Sequence, residues 1–238
     1  MNLESLRGKY AGKVAVILGA GPSLRFANDS ILKNRVSIAI NDAITKFSRS
    51  DFYFTMDPTM LQRRHWKGAL ESLRPMILKK CPEYEALFGN GRMLPPERTC
   101  LVPWRPDGPN GERSYRVSES DADFIIGGSS AHSAVNFAVV LGCRTVYLVG
   151  CDCRAYEGRR YFWQWDTDKE YTGGMADQSP DVAFGYRDAD ADKILAEYVT
   201  KCWANLRQAN PEIDIVDASG GLLGDVLHTE ELSALQAG

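Results

Sequence analysis

The residues with chemical capacity in this chain cluster where apolar runs end. Val14-Ala-Val-Ile-Leu18 leads directly into Gly19-Ala-Gly-Pro-Ser-Leu24. Glycines at 19 and 21 let the backbone turn tightly and approach a ligand that a side chain would block. Ser23 is placed to cap a helix starting near Leu24, whose unpaired N–H groups and dipole suit a phosphate. A second turn, Gly127-Gly-Ser-Ser130, brings glycine and two hydroxyls ahead of another helix. Gly19, Gly21, Ser23, Gly128, Ser129 and Ser130 are therefore candidate nucleotide contacts. Asn41 and Asp42, which follow the run 36–40, can reach a ribose or a base.

Two carboxylates occupy similar positions. Asp57 follows the run 51–56, and Asp152 follows Gly150-Cys151. Two such acids in one cleft can bind Mg²⁺ and support phosphoryl transfer from ATP, whereas each by itself also serves as a helix cap. His132, just past Ser130, is either a general base or a packing or capping residue near the start of its helix. Cys151 and Cys153 stand two apart at a strand end, so alternation puts both on one face with Asp152 on the other; they are catalytic thiols or small buried residues. Tyr156 and Tyr161 belong to an aromatic-rich segment through Trp165, of which the run Tyr161-Phe-Trp-Gln-Trp165 either lines an acceptor pocket or packs on a partner subunit.

The first turn departs from the Gly-x-Gly-x-x-Gly dinucleotide fingerprint, because Leu24 stands where the third glycine would permit close helix–strand packing. Pro22 also removes a backbone donor from the loop. NAD is therefore not the first expectation, although Asp42 is a ribose ligand of the kind that would serve it.

These groups need a scaffold that delivers strand ends to one edge. The pattern predicts a leading helix over 3–10 and strands at 14–18, 36–40, 51–56, 75–78, 145–149 and 213–216. Helices are expected at 24–33, from Pro58 to about 73, at 131–141 and at 190–208. Strands alternating with helices at this spacing give an α/β, Rossmann-like, mostly parallel sheet covered by helices on both faces. Residues 89–123 lose periodicity and read as a small irregular lid or lobe with a short strand near 99–102. One nucleotide-binding domain over 1–238 is expected, with 89–123 and 166–188 as lid or loop insertions.

Composition narrows the partners. The net charge of −3 and a pI near 5.7 argue against a general nucleic-acid-binding role. The run Arg63-Arg64-His65-Trp66-Lys67 is the best basic patch, and it reads equally as a solvated helix face. Six cysteines without a Cys-x-x-Cys pair, together with three histidines, read as free thiols in a cytoplasmic protein rather than as a zinc set. Neither a secretory h-region nor an apolar membrane span is expected. Oligomeric state stays open, with a homo-oligomer among the outcomes.

Taken in order, Gly19-Ala-Gly-Pro-Ser-Leu24, Asn41, Asp57, Gly127-Gly-Ser-Ser130 and Gly150-Cys-Asp152 resemble one superfamily. Its members are the bacterial sialyltransferases that use CMP-activated sialic acid, the motility accessory factors linked to flagellin glycosylation, and the archaeal 6-hydroxymethylpterin diphosphokinases. The resemblance implies that Gly21, Ser23, Asn41, Ser129 and Ser130 hold a nucleotide. It also implies that Tyr161 and Tyr156 steady the leaving phosphate and that Asp152 or Asp57 acts on acceptor or metal. The implied donor is a CMP-sugar, or Mg²⁺–ATP for a diphosphokinase; the acceptor is a glycan or a small alcohol. One departure is serious: the sialyltransferases take their general base from a histidine before the long C-terminal helix, and 180–190 contains none, offering Tyr186, Arg187 and Asp188. Retaining the nucleotide loop without that base implies a changed acceptor, changed chemistry, or a non-catalytic nucleotide-binding or assembly protein.

Overall fold

A computed structural model describes residues 1–57, 65–89, 94–104, 114–117, 124–125, 128–157, 159, 161–165 and 189–237. The strands are β1 (Val14–Leu18), β2 (Val36–Ile40), β3 (Phe52–Thr55), β4 (Met76–Lys79), β5 (Thr99–Val102), β6 (Thr145–Val149), β7 (Asp214–Asp217) and β8 (His228–Thr229). They form a single sheet in the order β5-β4-β3-β2-β1-β6-β7-β8. Every neighbouring pair runs parallel. The α/β, Rossmann-like class expected from the alternation is the class observed.

Parallel strands covered on both faces read as continuous apolar runs, which is why β1 and β2 were legible. Alternate residues feed two cores. Ala15 and Ile17 join Ile38, Phe52 and Phe54 on one face, covered by Val135 and Phe137 of α3 (Ser130–Val140) and by Trp203 and Leu206 of α4 (Ala189–Ala209). Val16 and Leu18 join Ala39, Tyr53 and Leu78 on the other face. That second face is covered by Ile31, Phe47, Trp66 of α1 (His65–Glu71), Tyr84 of α2 (Pro82–Gly89) and Leu235 of α5 (Leu232–Ala237). Each such side chain contributes about 1.5–3 kcal/mol through burial. Together the two layers fix the strand ends that carry polar residues.

Several expectations change. The helix predicted over 24–33 is two 3₁₀ turns, Pro22–Phe26 and Asn28-capped Asp29–Leu32. Ala27 and Asn28 are extended, and the Asn28 side chain accepts from Ser30 N–H at 2.9 Å, which starts a new turn instead of continuing the old one. The 99–102 strand belongs to the main sheet rather than to a lid, pairing through Cys100 and Leu101 with Ile77 and Leu78. The leading helix shortens to a 3₁₀ turn at Glu4–Leu6. α2, α5 and β8 were not anticipated, although Pro82 followed by Glu83 and Glu85 is a helix-start signal.

Part of the predicted helix after Pro58, and most of 89–123 and 166–188, fall outside the described residues. Within the basic run, Trp66 is buried and Lys67 pairs with Glu71 at 3.7 Å on the surface, so the described part is an ordinary helix face. All six cysteines are free. Among the described residues no helix is long and apolar enough to cross a membrane.

Candidate functional site

The sheet changes direction at β1: the chain steps outward through β2 to β5 on one side, then returns to place β6 on the other. Ligands of open α/β sheets bind in the crevice that opens at the carboxyl ends of such a strand pair. Here the two loops are stitched together. Gly19 N–H donates to Val149 O and Gly21 N–H to Gly150 O, each at 2.7 Å. Gly150 has φ +70°, and a Cβ there would collide with Gly19 O and stand 2.9 Å from Leu24 Cβ. A Cβ on Gly21 would collide with the Asp152 carboxylate and stand 2.7 Å from Gly150 O. The space these glycines leave is thus filled by the protein itself.

Asp152 is the centre of this junction. Ser23 N–H donates to both carboxylate oxygens at 3.2 Å, and Ser23 Oγ donates to Oδ2 at 3.0 Å. Gly21, not Ser23, is the N-cap of the 3₁₀ turn, with Pro22 at its first position. The donors expected to cradle a phosphate therefore hold the chain's own carboxylate. Asp152 is 6% exposed. Burial pushes its pKa up to about 6 despite the Ser23 bonds, and the Asp217 carboxylate adds to the rise.

Asp217, at the end of β7, is also buried and raised by burial; it accepts Ser219 N–H at 2.9 Å. Its Oδ2 is buried without a hydrogen-bond partner among the described residues. Strand alternation does not continue past Val149, because Gly150 and Cys153 both have positive φ. Cys151 and Asp152 are consequently both buried. Burial pushes the Cys151 thiol well up and the Cys153 thiol up to about 12, so neither is a thiolate nucleophile at neutral pH.

A cavity of 550 Å³ opens against this junction, its wall including Ser23, Arg25, Asp152, Arg154, Tyr156 and Asp217. A larger cavity of 740 Å³ lies between the end of α4 and the start of β7. It is at the opposite end of the strands and contains none of the candidate residues, so the smaller one is the relevant one.

The second group of candidates lies along the same edge. Met56 N–H donates to Ser130 Oγ at 3.4 Å, joining the N-terminus of α3 to the end of β3 beside Asp57. Asn41 sits at the end of β2 with φ 52°, and its Oδ1 is buried without a hydrogen-bond partner among the described residues. Asparagine adopts the left-handed region more readily than other non-glycine residues. Ser129 is the exposed N-cap of α3, its Oγ 3.0 Å from His132 Nδ1, while Gly128 packs near Cys202.

Two candidates are placed differently from the expectation. His132 is 0% exposed and stacks on Trp203 with ring centroids 4.0 Å apart, so it is a packing residue here rather than a base facing a cleft. Asp57 and Asp152 end strands separated by three inter-strand steps, about 14 Å. Mg²⁺ requires its oxygens at about 2.1 Å, so these two carboxylates do not fit one shared ion. Among the described residues no cluster of three or more His, Cys, Asp or Glu side chains is arranged to hold a metal.

The aromatic segment divides its roles. Phe162 N–H donates to Ala20 O at 3.1 Å and its ring is buried, tying the segment to the first glycine turn. Tyr161 stacks on Trp163 at 5.3 Å, and Tyr156 is 45% exposed on the cavity wall. Tyr186, Arg187 and Asp188 lie outside the described residues.

A family model described as 6-hydroxymethylpterin diphosphokinase MptE-like matches residues 1–158. The chain belongs to the MptE-like family. The matched span takes in both glycine turns, Asn41, Asp57 and Asp152, and it ends before β7 and Asp217. Among solved structures, this MptE-like chain is similar to the MAf glycosyltransferase from Magnetospirillum magneticum AMB-1, at 14% identity and a TM-score of 0.51. The likeness covers 96% of this chain and 35% of that one, so the chain spans about a third of that protein's length. At that identity the likeness establishes a shared fold. No curated protein matches the chain.

Two charged residues on the wall of this cavity escaped sequence reasoning. Asp217 carried the signal used for Asn41 and Asp57, a polar residue closing an apolar strand. Arg25 carried none, because its surroundings are assembled from distant segments.

Proposed function

We propose that the protein is a nucleotide-dependent transferase that moves a group from a nucleotide donor to a hydroxyl, the donor being a CMP-activated sugar of the nonulosonic type. The observation that carries this reading is Asp152, a buried carboxylate with a pKa near 6 at the topological switch point, on the wall of a cavity. A general base needs a pKa close to working pH and access to the attacking hydroxyl. Asp152 meets the first need through burial, which is how an aspartate can stand in for the histidine of the sialyltransferases.

In this reading Asn41, Ser129 and Ser130 hold the nucleoside end, and Tyr156 and Tyr161 receive the phosphate. The edge from β3 to β6 spans about 14 Å, enough for a sugar nucleotide lying along it. The acceptor occupies the 550 Å³ cavity, where Asp217 and Glu230 can accept hydrogen bonds from a glycan or small alcohol. The acceptor oxygen forms the new bond to the sugar carbon. Its proton passes to Asp152 as the sugar–phosphate bond breaks, and the electron pair leaves on the nucleotide phosphate.

The family match favours a second reading, a diphosphokinase acting on a pterin-like alcohol with Mg²⁺–ATP. Its ion would have to be held otherwise than by Asp57 and Asp152 together. Thermal unfolding with CMP, CDP, UDP, GDP, ATP and NAD, each with Mg²⁺ and with EDTA, separates the readings. A nucleotide at 100 times its Kd adds about 2.7 kcal/mol, a rise of roughly 5–11 °C for a chain of this size. The expected result is a rise with CMP that survives EDTA. A rise with ATP that requires Mg²⁺ would transfer the assignment to the diphosphokinase. No rise across the panel would overturn both and favour a non-catalytic assembly protein.

A further inference from the structure

We propose that Arg25 is the anion-binding side chain of the cavity, gripping the phosphate of a nucleotide through the edge of its guanidinium. Three aromatic rings hold the cation: its central carbon lies 4.0 Å from the Trp165 centroid, 4.4 Å from Phe26 and 5.0 Å from Tyr156. Ring faces attract a guanidinium and strip water from its planes, but they offer no acceptor to N–H groups that point outward in the plane. Arg25 Nε is buried without a hydrogen-bond partner, and among the described residues Arg25 forms no ion pair. A partly buried cation whose Nε lacks an acceptor can be completed by a bound group.

The carboxylates Asp152, Asp217 and Glu230 on the cavity wall are each held by the chain itself, although Asp217 Oδ2 also lacks a partner among the described residues. Asp152 is held by Ser23, Asp217 by Ser219 N–H, and Glu230 accepts the Tyr147 hydroxyl at 2.8 Å. Arg154 donates to Gly220 O at 2.9 Å, and Glu231 completes the acidic side. The cavity is therefore acidic along the β7 and β8 side, where Arg154 faces Asp217, and cationic at Arg25. An anion entering it is drawn toward the Arg25 cage and away from the β7 and β8 carboxylates. Arginine's planar fork matches two phosphate oxygens at once, which selects phosphate over a single point of negative charge. The proposal rests on the transferase reading for the identity of the ligand, but the anion site stands on the cage alone.

Titration calorimetry on the full chain with pyrophosphate, CMP and cytidine tests it, using wild type, Arg25→Gln and Arg25→Lys. Wild type is expected to bind CMP more tightly than cytidine. Arg25→Gln should weaken CMP and pyrophosphate by at least about tenfold while leaving cytidine unchanged, since the loss is one charge-assisted bidentate contact. Arg25→Lys keeps a cation on the rings without the fork and should fall between the two, and it preserves the comparison if the glutamine variant fails to fold. Unchanged CMP and pyrophosphate affinity in both variants would overturn the proposal. So would an equal loss for cytidine and CMP, which is what a collapsed cage would give, or the absence of any pyrophosphate or CMP binding by wild type at millimolar concentration. Arg25-dependent binding of pyrophosphate without any response to CMP would support the anion site and remove the CMP-sugar donor. Binding of CMP that ignores Arg25 would do the reverse.

Discussion

Asp152→Asn is expected to raise the stability of the protein above pH 7 while lowering transfer by roughly 10²–10⁴-fold, the usual contribution of a general base. Both effects come from the same burial. A carboxyl whose folded-state pKa is raised above its unfolded value binds more protons folded than unfolded over the interval between them. Stability therefore falls as pH climbs from about 4 to about 6, and the cost is fully present above that range. The interval between the ordinary 3.8 and about 6 caps that cost at about 3 kcal/mol. Asparagine stays neutral throughout but loses the charge-assisted bonds from Ser23, so a net gain of about 1–2 kcal/mol is expected at pH 8. That corresponds to roughly 2–8 °C in Tm, vanishing near pH 4. Asp217 titrates in the same direction beside it, so the pH profile of wild type belongs to the pair. Unfolding curves at pH 4, 6 and 8, with turnover of the identified donor, provide the measurement. An asparagine variant that is active, or less stable than wild type at pH 8, would remove Asp152 from the base role.

The fold was legible because its signals are local. A parallel strand buried on both faces is an uninterrupted apolar run, and Val14–Leu18, Val36–Ile40 and Thr145–Val149 each announced themselves with a polar or glycine terminus at the correct edge. The strand-end positions of Asn41 and Asp152 were legible for the same reason. What those residues do to one another was not. Ser23 reads as a helix cap in its own segment, and its actual partner is 129 residues away. The Arg25 cage takes Phe26 from its own turn but Tyr156 and Trp165 from beyond β6. His132 fails as a candidate for a related reason: its position next to Ser130 suggested a cleft, while the ring turns inward onto Trp203 from a different helix. Periodicity identifies which residues reach an edge, but it does not show which of them meet across it.

The interlock of the two loops gives the second large effect. Gly150→Ala is expected to cost about 3 kcal/mol, lowering Tm by roughly 6–12 °C. Alanine in the left-handed region accounts for about 1 kcal/mol, and forcing a methyl group against Gly19 O and Leu24 Cβ for about 2 more. Gly220→Ala separates these terms, because Gly220 has φ +66° with nothing within 4 Å of an added Cβ. It should cost only the backbone term, about 1 kcal/mol. Equal losses in the two variants would mean that the close approach of β1 and β6 loops contributes nothing beyond strain. If the difference holds, the consequence extends past stability. Moving Gly150 away from Gly19 also moves Asp152 away from Ser23, so the Gly150 variant should lose the ligand-induced rise in Tm that the Gly220 variant keeps. The two glycines that resemble an open phosphate loop would then act by closing one strand end onto another, holding a carboxylate where the ligand meets it.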